Sequence, residues 1–189
     1  MKPTINCNKL IGGKLVNSNN TWLIDFMNPK VVTRTMEFQM QKLMENWANV
    51  KLNKEGFIYG IRRYTRGAEL LQHVDRVPSH MISAILQIDQ KVDEDWPLTL
   101  VDHKGIFMLI ATYNLGRNGD LVPIKDLVCN IVSYSIFTGN NVEIFLKPGE
   151  MVLYESAVAP HGRQFPFSGD FFDNLFVHYT LEDGDIYIK

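Results

Sequence analysis

The sequence predicts a mainly β protein, a sandwich or barrel with one helix packed beside it. Three observations predict this. The chain has 189 residues, about the length of one core, since single hydrophobic cores occupy roughly 100–200 residues. Its composition is 46% hydrophobic, 21% charged and 11% aromatic, which excludes a wholly disordered, collagenous or coiled-coil chain. Beyond residue 56, apolar side chains come in short β-branched and aromatic runs separated by Gly, Pro, Asp or Asn, the signature of many short strands.

Residues 1–34 are rich in Asn, Lys and Gly and carry only short apolar pairs, so they read as irregular chain or edge strands. From Thr35 to Ala48, Met36, Met40, Leu43, Met44 and Trp47 recur at helical spacing with Glu and Lys opposite, which predicts a supporting helix over 35–48 whose stripe is core. Strands are expected at Phe57–Tyr64, Met81–Ile88, Leu98–Val101, Val142–Leu146, Met151–Tyr154 and Leu175–Tyr179. Between Val142–Leu146 and Met151–Tyr154, Lys147-Pro148-Gly149-Glu150 has the Pro and Gly that a type II turn requires. Trp96-Pro97 reads as a packing corner.

Charge and cysteine usage narrow the function. Nineteen Lys+Arg against twenty-one Asp+Glu give a formal charge of −2, so no overall basic field is available to hold nucleic acid. Cys7 and Cys129 are too few for a disulfide framework. No apolar run approaches the roughly 18 residues of a membrane span, and the first residues hold no apolar signal segment. A soluble cytoplasmic protein without a membrane partner is expected.

The chemistry starts at His73-Val74-Asp75. On an extended strand these two side chains point to one face, where they can share a metal. Alone the pair says little, because five His and twelve Asp in this chain give about 0.3 chance occurrences of His-x-Asp. His161 offers a third ligand, flanked by Pro160 and Gly162, which allow a sharp exit and a close backbone approach. Two imidazoles and one carboxylate match the facial arrangement that binds Fe(II) and leaves positions open. They also satisfy zinc with water in the fourth position, as in a hydrolase.

Several ordered motifs then carry a resemblance. They are Tyr64-x-x-Gly67 leading to His73-x-Asp75-Arg76, Ile82-Ser83, Trp96-Pro97-Leu98, Pro148-Gly149-Glu150-Met151-Val152-Leu153-Tyr154-Glu155-Ser156, and His161-Gly162-Arg163-x-x-Pro166-Phe167-x-Gly169 through Asn174 to Phe176-Val177-His178-Tyr179. Together, over 57–105 and 141–180, the chain resembles the prolyl 4-hydroxylase-like branch of the 2-oxoglutarate and Fe(II)-dependent dioxygenases. The resemblance implies one domain over 1–189, a double-stranded β-helix (a cupin-like jelly roll) flanked by the helix. It implies that His73, Asp75 and His161 hold Fe(II), that 2-oxoglutarate is the co-substrate with ascorbate as a further cofactor, and that a peptidyl, specifically prolyl, side chain of a peptide or protein is hydroxylated with release of succinate and carbon dioxide.

The chain departs from the family in two places. A Lys or Arg normally anchors the distal carboxylate of 2-oxoglutarate nine or ten residues past the second metal His, and here those positions hold Asp170 and Phe171. Arg163, on the face of His161 if the strand continues, is the expected substitute, with Arg63 behind it. Tyr64 stands where a tyrosine borders the co-substrate pocket in similar enzymes, and Ser83, Ile85 and Gln87 share by period two the face that lines it. The second departure is an insertion over 106–140, apolar at its ends and turn-like around Asn114–Asp120, which reads as an added hairpin, a substrate lid or a foreign segment that weakens the fold. His103 and His178 read as structural or solvent-facing. Beside the oxygenase stand two alternatives, the zinc hydrolase and a catalytically impaired jelly roll whose groove only binds a peptide. The missing anchor favours the latter.

Overall fold

The computed structural model of the chain describes residues 5–6, 10–11, 14–15, 20–24, 29–77, 79–101, 113–115, 121–123 and 141–182. Strands β1 (Ile5–Asn6), β2 (Leu10–Ile11), β3 (Lys14–Leu15) and β4 (Thr21–Ile24) precede helix α1 (Pro29–Ala48). There follow β5 (Phe57–Tyr64), β6 (Ile82–Val92), β7 (Leu98–Val101), β8 (Tyr113–Leu115), β9 (Leu121–Pro123), β10 (Asn141–Ile144), β11 (Met151–Tyr154), β12 (His161–Gly162) and β13 (Gly169–Tyr179). The expected strands at 57–64, 98–101 and 151–154 keep their bounds. β6 and β13 outrun their apolar segments because they pair with each other along their length, from Gly169↔Val92 to Tyr179↔Ile82.

Helix α1 begins at Pro29, six residues before the start that the apolar stripe predicts. Val31, Val32, Thr33 and Thr35 are β-branched and carry no stripe, so periodicity misses the first turns, while Pro29 sits in the first turn where its missing N–H costs nothing. The stripe is core. Met40 and Met44 are buried, and Met36, Leu43 and Trp47 pack against the same cluster. Asn49 ends the helix in the left-handed region at φ 53°, a conformation that Asn tolerates at a helix C-terminus. Glu45 then accepts the backbone N–H of Leu52 at 3.0 Å, and Gln41 donates to the Leu52 carbonyl at 3.0 Å, which ties the chain back onto the helix.

The strands form a jelly roll of two antiparallel sheets. The larger has the order β1-β4-β5-β13-β6-β11 and the smaller β10-β7-β12. Strand pleating divides β13 between two cores. Leu175, Val177 and Tyr179 face α1 with Ala84, Leu86, Met151 and Leu153, whereas Phe176 meets Ile85, Val152, Tyr154, Leu98, Leu100 and Ile144 between the sheets. β11 is buried at all four positions, the pattern of a strand covered on both faces. Tyr64, Ala68, Trp96, Phe167 and Phe172 close one end of the roll, so Trp96 is the packing corner that the sequence suggests. The turn at Lys147–Glu150 has Gly149 at φ 90° and a 2.9 Å bond from Glu150 N to Lys147 O, which is type II geometry.

Of the expected insertion 106–140, the described residues are the hairpin of β8 and β9, in which Asn114 and Leu115 are strand. Its remaining residues, with His103, lie outside the described residues. Among the described residues no helix is long and apolar enough to cross a membrane.

Candidate metal centre

His73 lies in an irregular segment and His161 opens β12, yet backbone hydrogen bonds lock them together. His73 N donates to His161 O at 2.9 Å and His161 N donates to His73 O at 2.8 Å, a single antiparallel bridge. Residues directly opposite in such a bridge project their side chains to the same face. The two imidazoles accordingly lie with centroids 4.4 Å apart. Asp75 is fixed in turn by its own N–H, which donates to Ser156 O at 2.8 Å.

The donor atoms converge. Asp75 Oδ1 is 3.6 Å from His73 Nε2 and Asp75 Oδ2 is 4.0 Å from His161 Nε2. One ligand atom from each of the three residues falls within 4.8 Å of the others. Bonds of about 2.1 Å would set neighbouring ligands about 3.0 Å apart, so this triad needs a contraction of order 1 Å to close on an ion. Both rings are also prepared electronically. His73 Nδ1 faces Leu71 O at 2.7 Å and His161 Nδ1 faces Ala159 O at 2.9 Å. A carbonyl only accepts, so each Nδ1 carries the proton and each Nε2 presents a lone pair to the centre.

Gly162 makes this strand placement feasible. A Cβ there would lie 2.7 Å from Gln72 Cα and 2.9 Å from Leu70 O, so only glycine lets β12 approach the 70–73 segment. Two residues past His161, the side chain of Arg163 turns into the roll as the period-two reading expects, and 7% of the residue is exposed. Its guanidinium lies 4.2 Å over Trp96 and 4.5 Å over Phe172. It donates to Trp96 O and, at 3.2 Å, to Asn174 Oδ1. Its Nε has no partner, and no carboxylate pairs with it among the described residues. Burial lowers its pKa to about 10. The hydroxyls of Tyr64 and Tyr154 are buried without a hydrogen-bond partner as well. Both act electrostatically on Arg163. Burial first, and Asp75 second, push the Tyr154 hydroxyl well above its usual pKa, so it stays a neutral donor. Tyr154 joins the two parts of the site, because its ring meets His161 edge-on at 4.9 Å.

Ser83 and Gln87 take the inner face of β6, as expected from period two. Gln87 accepts from Asn174 Nδ2, which extends the Arg163–Asn174 contact into a buried polar row. Ser83 is occupied by side chains, bonding Ser156 Oγ and, at 2.6 Å, His178 Nδ1. Arg63, the second anchor candidate, is corrected by the structure. It lies on the opposite face of the sheet and makes two bonds to Asp173, 2.8 and 2.6 Å long. Asp170, at one of the family's anchor positions, points outward and pairs with Lys91 at 2.6 Å.

The structure adds residues that sequence reasoning passes over. Arg62 alternates with Tyr64, and its guanidinium lies 4.6 Å over the interior ring of Phe176. Period two from Tyr64 was enough to single it out. His178, read as structural or solvent-facing, places Nδ1 3.7 Å from Asp75 Oδ2. Burial, then His80, hold its pKa well below the usual histidine value, so it is a neutral imidazole. Tyr154 gives no signal in sequence because its strand is apolar on both faces.

No protein-family model matches the chain, and no curated protein matches it. Solved structures share its fold, two of them as follows. One is an oxidoreductase of the 2OG-Fe(II) oxygenase family from Burkholderia pseudomallei, with TM-score 0.50 and 11% identity over 80% of this chain. The chain spans 57% of that protein's length. The other is AviO1 from Streptomyces viridochromogenes Tue57, with TM-score 0.55 and 13% identity over 98% of this chain and 77% of that one. At these identities the likeness is one of fold.

Proposed function

We propose that this protein is an Fe(II)- and 2-oxoglutarate-dependent oxygenase that hydroxylates a peptidyl substrate, with a prolyl side chain as the first candidate. One observation carries the reading: a His-Asp-His triad whose ligand atoms lie within 4.8 Å of one another is followed, two residues past His161, by a buried arginine that lacks an anionic partner among the described residues. A buried cation without a counter-charge costs several kcal/mol. A ligand that brings both metal-binding oxygens and a distant carboxylate removes that cost, and 2-oxoglutarate is such a ligand. The orphaned hydroxyls of Tyr64 and Tyr154 fit the same carboxylate.

His73, Asp75 and His161 would hold the iron, which when bound couples decarboxylation of the keto acid to insertion of one oxygen atom into an unactivated C–H bond. The remaining tasks belong to the chain. Arg163, Tyr64 and Tyr154 fix the far end of the co-substrate and so orient its keto end towards the triad. Ile85, Leu98, Leu100 and Val152 pack the interior behind it and exclude water. The two Nδ1–H bonds to backbone keep both imidazoles from turning. Ascorbate has no place assigned among these residues, and its effect is read in the same assay.

The test is anaerobic loading with Fe(II), titration with 2-oxoglutarate, then succinate release on admitting oxygen with and without proline-containing peptides. Iron binding, saturable 2-oxoglutarate binding and peptide-stimulated succinate are expected. A protein purified with stoichiometric zinc that hydrolyses instead would overturn the reading. One observation favours a second function, a peptide-binding module: the family's anchor position is an outward Asp170. Peptide binding without metal or 2-oxoglutarate binding is the result that selects it.

A further inference from the structure

Behind Arg163 runs a row of two amides that binding of the distal carboxylate does not itself require. A guanidinium only donates, so the atom of Asn174 that faces Arg163 at 3.2 Å is its Oδ1. That turns Nδ2 of Asn174 towards Gln87, its register partner across the sheet, where it donates to Oε1. Gln87 Nε2 in turn donates to Asp89 O at 3.1 Å. The polarity of the row is thus fixed from both ends, by a group that never accepts and a carbonyl that never donates. Both amides have no exposed surface, so neither turns to solvent for its bonds.

What the row withholds is charge. Of the five N–H groups of a guanidinium, Arg163 spends one on Trp96 O and one on Asn174 Oδ1, which leaves three among the described residues, Nε–H included. The preceding residue of the same strand shows the alternative. Asp173, on the other face, gives Arg63 a carboxylate through bonds of 2.8 and 2.6 Å, and that arginine's charge is spent within the protein. A carboxylate in place of the Asn174 amide would do the same to Arg163, whereas the amide aims the guanidinium and leaves its charge whole. We infer that Asn174, braced by Gln87, is a positioning residue that sets co-substrate selectivity: it orients Arg163 without neutralising it, so the site prefers 2-keto acids that end in a second carboxylate over those that do not. The inference rests on the co-substrate part of the proposed function.

Anaerobic calorimetry on the full chain loaded with Fe(II) tests the idea without turnover. The probes are 2-oxoglutarate and 2-oxopentanoate, which has the same carbon chain with a methyl group in place of the distal carboxylate. Asn174→Asp keeps the side-chain shape and adds the charge. Its 2-oxoglutarate dissociation constant is expected to rise about 100-fold, because an Arg163 already paired repels a second anion from the pocket, while that of 2-oxopentanoate stays within about threefold. Gln87→Met removes the acceptor that braces Asn174 and is expected to weaken 2-oxoglutarate about tenfold, again with little effect on 2-oxopentanoate. A residue that served packing alone would weaken both probes together. Far-UV circular dichroism and melting temperature establish folding in each variant. A parent-like ratio of the two affinities in folded Asn174→Asp overturns the inference, as does a parent that binds both probes alike. If the Asp variant does not fold, Gln87→Met decides, and a parent-like ratio in it is refuting. A parent that binds neither probe sinks the proposed function, whereas a parent that discriminates and an Asp variant that discriminates equally sinks only the role of Asn174.

Discussion

Replacing Arg163 with Met probes the co-substrate site most directly. Met keeps an apolar stem between Trp96 and Phe172 and removes the guanidinium that those rings flank at 4.2 and 4.5 Å. Charge-assisted hydrogen bonds to a bound carboxylate are worth about 1.5–3 kcal/mol each, so losing one forked pair costs on the order of 3 kcal/mol. At about 1.4 kcal/mol per decade, the 2-oxoglutarate dissociation constant rises about 100-fold. The unliganded fold responds differently. It loses the bonds to Trp96 O and Asn174 Oδ1, about 1 kcal/mol each, but is relieved of a buried cation without a counter-charge, and these effects oppose. Its melting temperature should therefore move by only a few degrees, in the range that about 1 kcal/mol produces. Anaerobic calorimetry with metal-loaded protein reads the affinity, and thermal melts with and without 2-oxoglutarate read the stability. Parent-like 2-oxoglutarate affinity in a folded Arg163→Met protein would refute the assignment.

Four further outcomes follow from the same geometry. His161→Ala should abolish iron retention, measured by metal content after desalting, because the opposed pair with His73 is lost. Gly162→Ala should destabilise the protein by about 1–3 kcal/mol in urea and weaken metal binding, since its Cβ would sit 2.7 Å from Gln72 Cα; an unchanged midpoint would contradict the close approach. Tyr64→Phe removes a buried hydroxyl without a partner, so the unliganded protein should gain up to about 1 kcal/mol while 2-oxoglutarate binds more weakly; a loss of both would mark Tyr64 as packing alone. Glu155, whose pKa burial raises from 4.5 to about 7, holds its proton more tightly when folded. Its contribution is present below pH 4.5 and is lost as pH rises through about 7, on the order of 1–2 kcal/mol after discounting for solvent screening. Urea midpoints at pH 5 and pH 8 should thus diverge less in Glu155→Gln than in the parent.

Local pattern determined much of the scaffold. The Met36–Trp47 stripe identifies the helix because a 3.6-residue period survives in one segment, and Pro148-Gly149 identifies its turn because φ near 90° at Gly149 suits glycine. Where a signal is not local it fails. The first turns of α1 carry no stripe, and β13 begins at Gly169 because β6 is there to pair with it. The same division holds at the candidate site. Spacing along an extended chain pairs His73 with Asp75 and Arg163 with His161, whereas His161 is grouped with the first pair only by the motifs that carry the family resemblance, and in the fold by its bridge to His73.

Which faces meet is another matter, decided by tertiary structure alone. Period two puts Arg62, not Arg63, on the face of Tyr64, but only the sheet shows what each meets: Arg63 is spent on Asp173 while Arg62 lies over Phe176. His178 and Asp75 are 3.7 Å apart although more than half the chain separates them. The sequence by itself determined the types of donor available and their spacing within each strand. The fold decided which donors oppose one another, because contacts across a sheet are set by strand register and layer packing, and a one-dimensional pattern specifies neither.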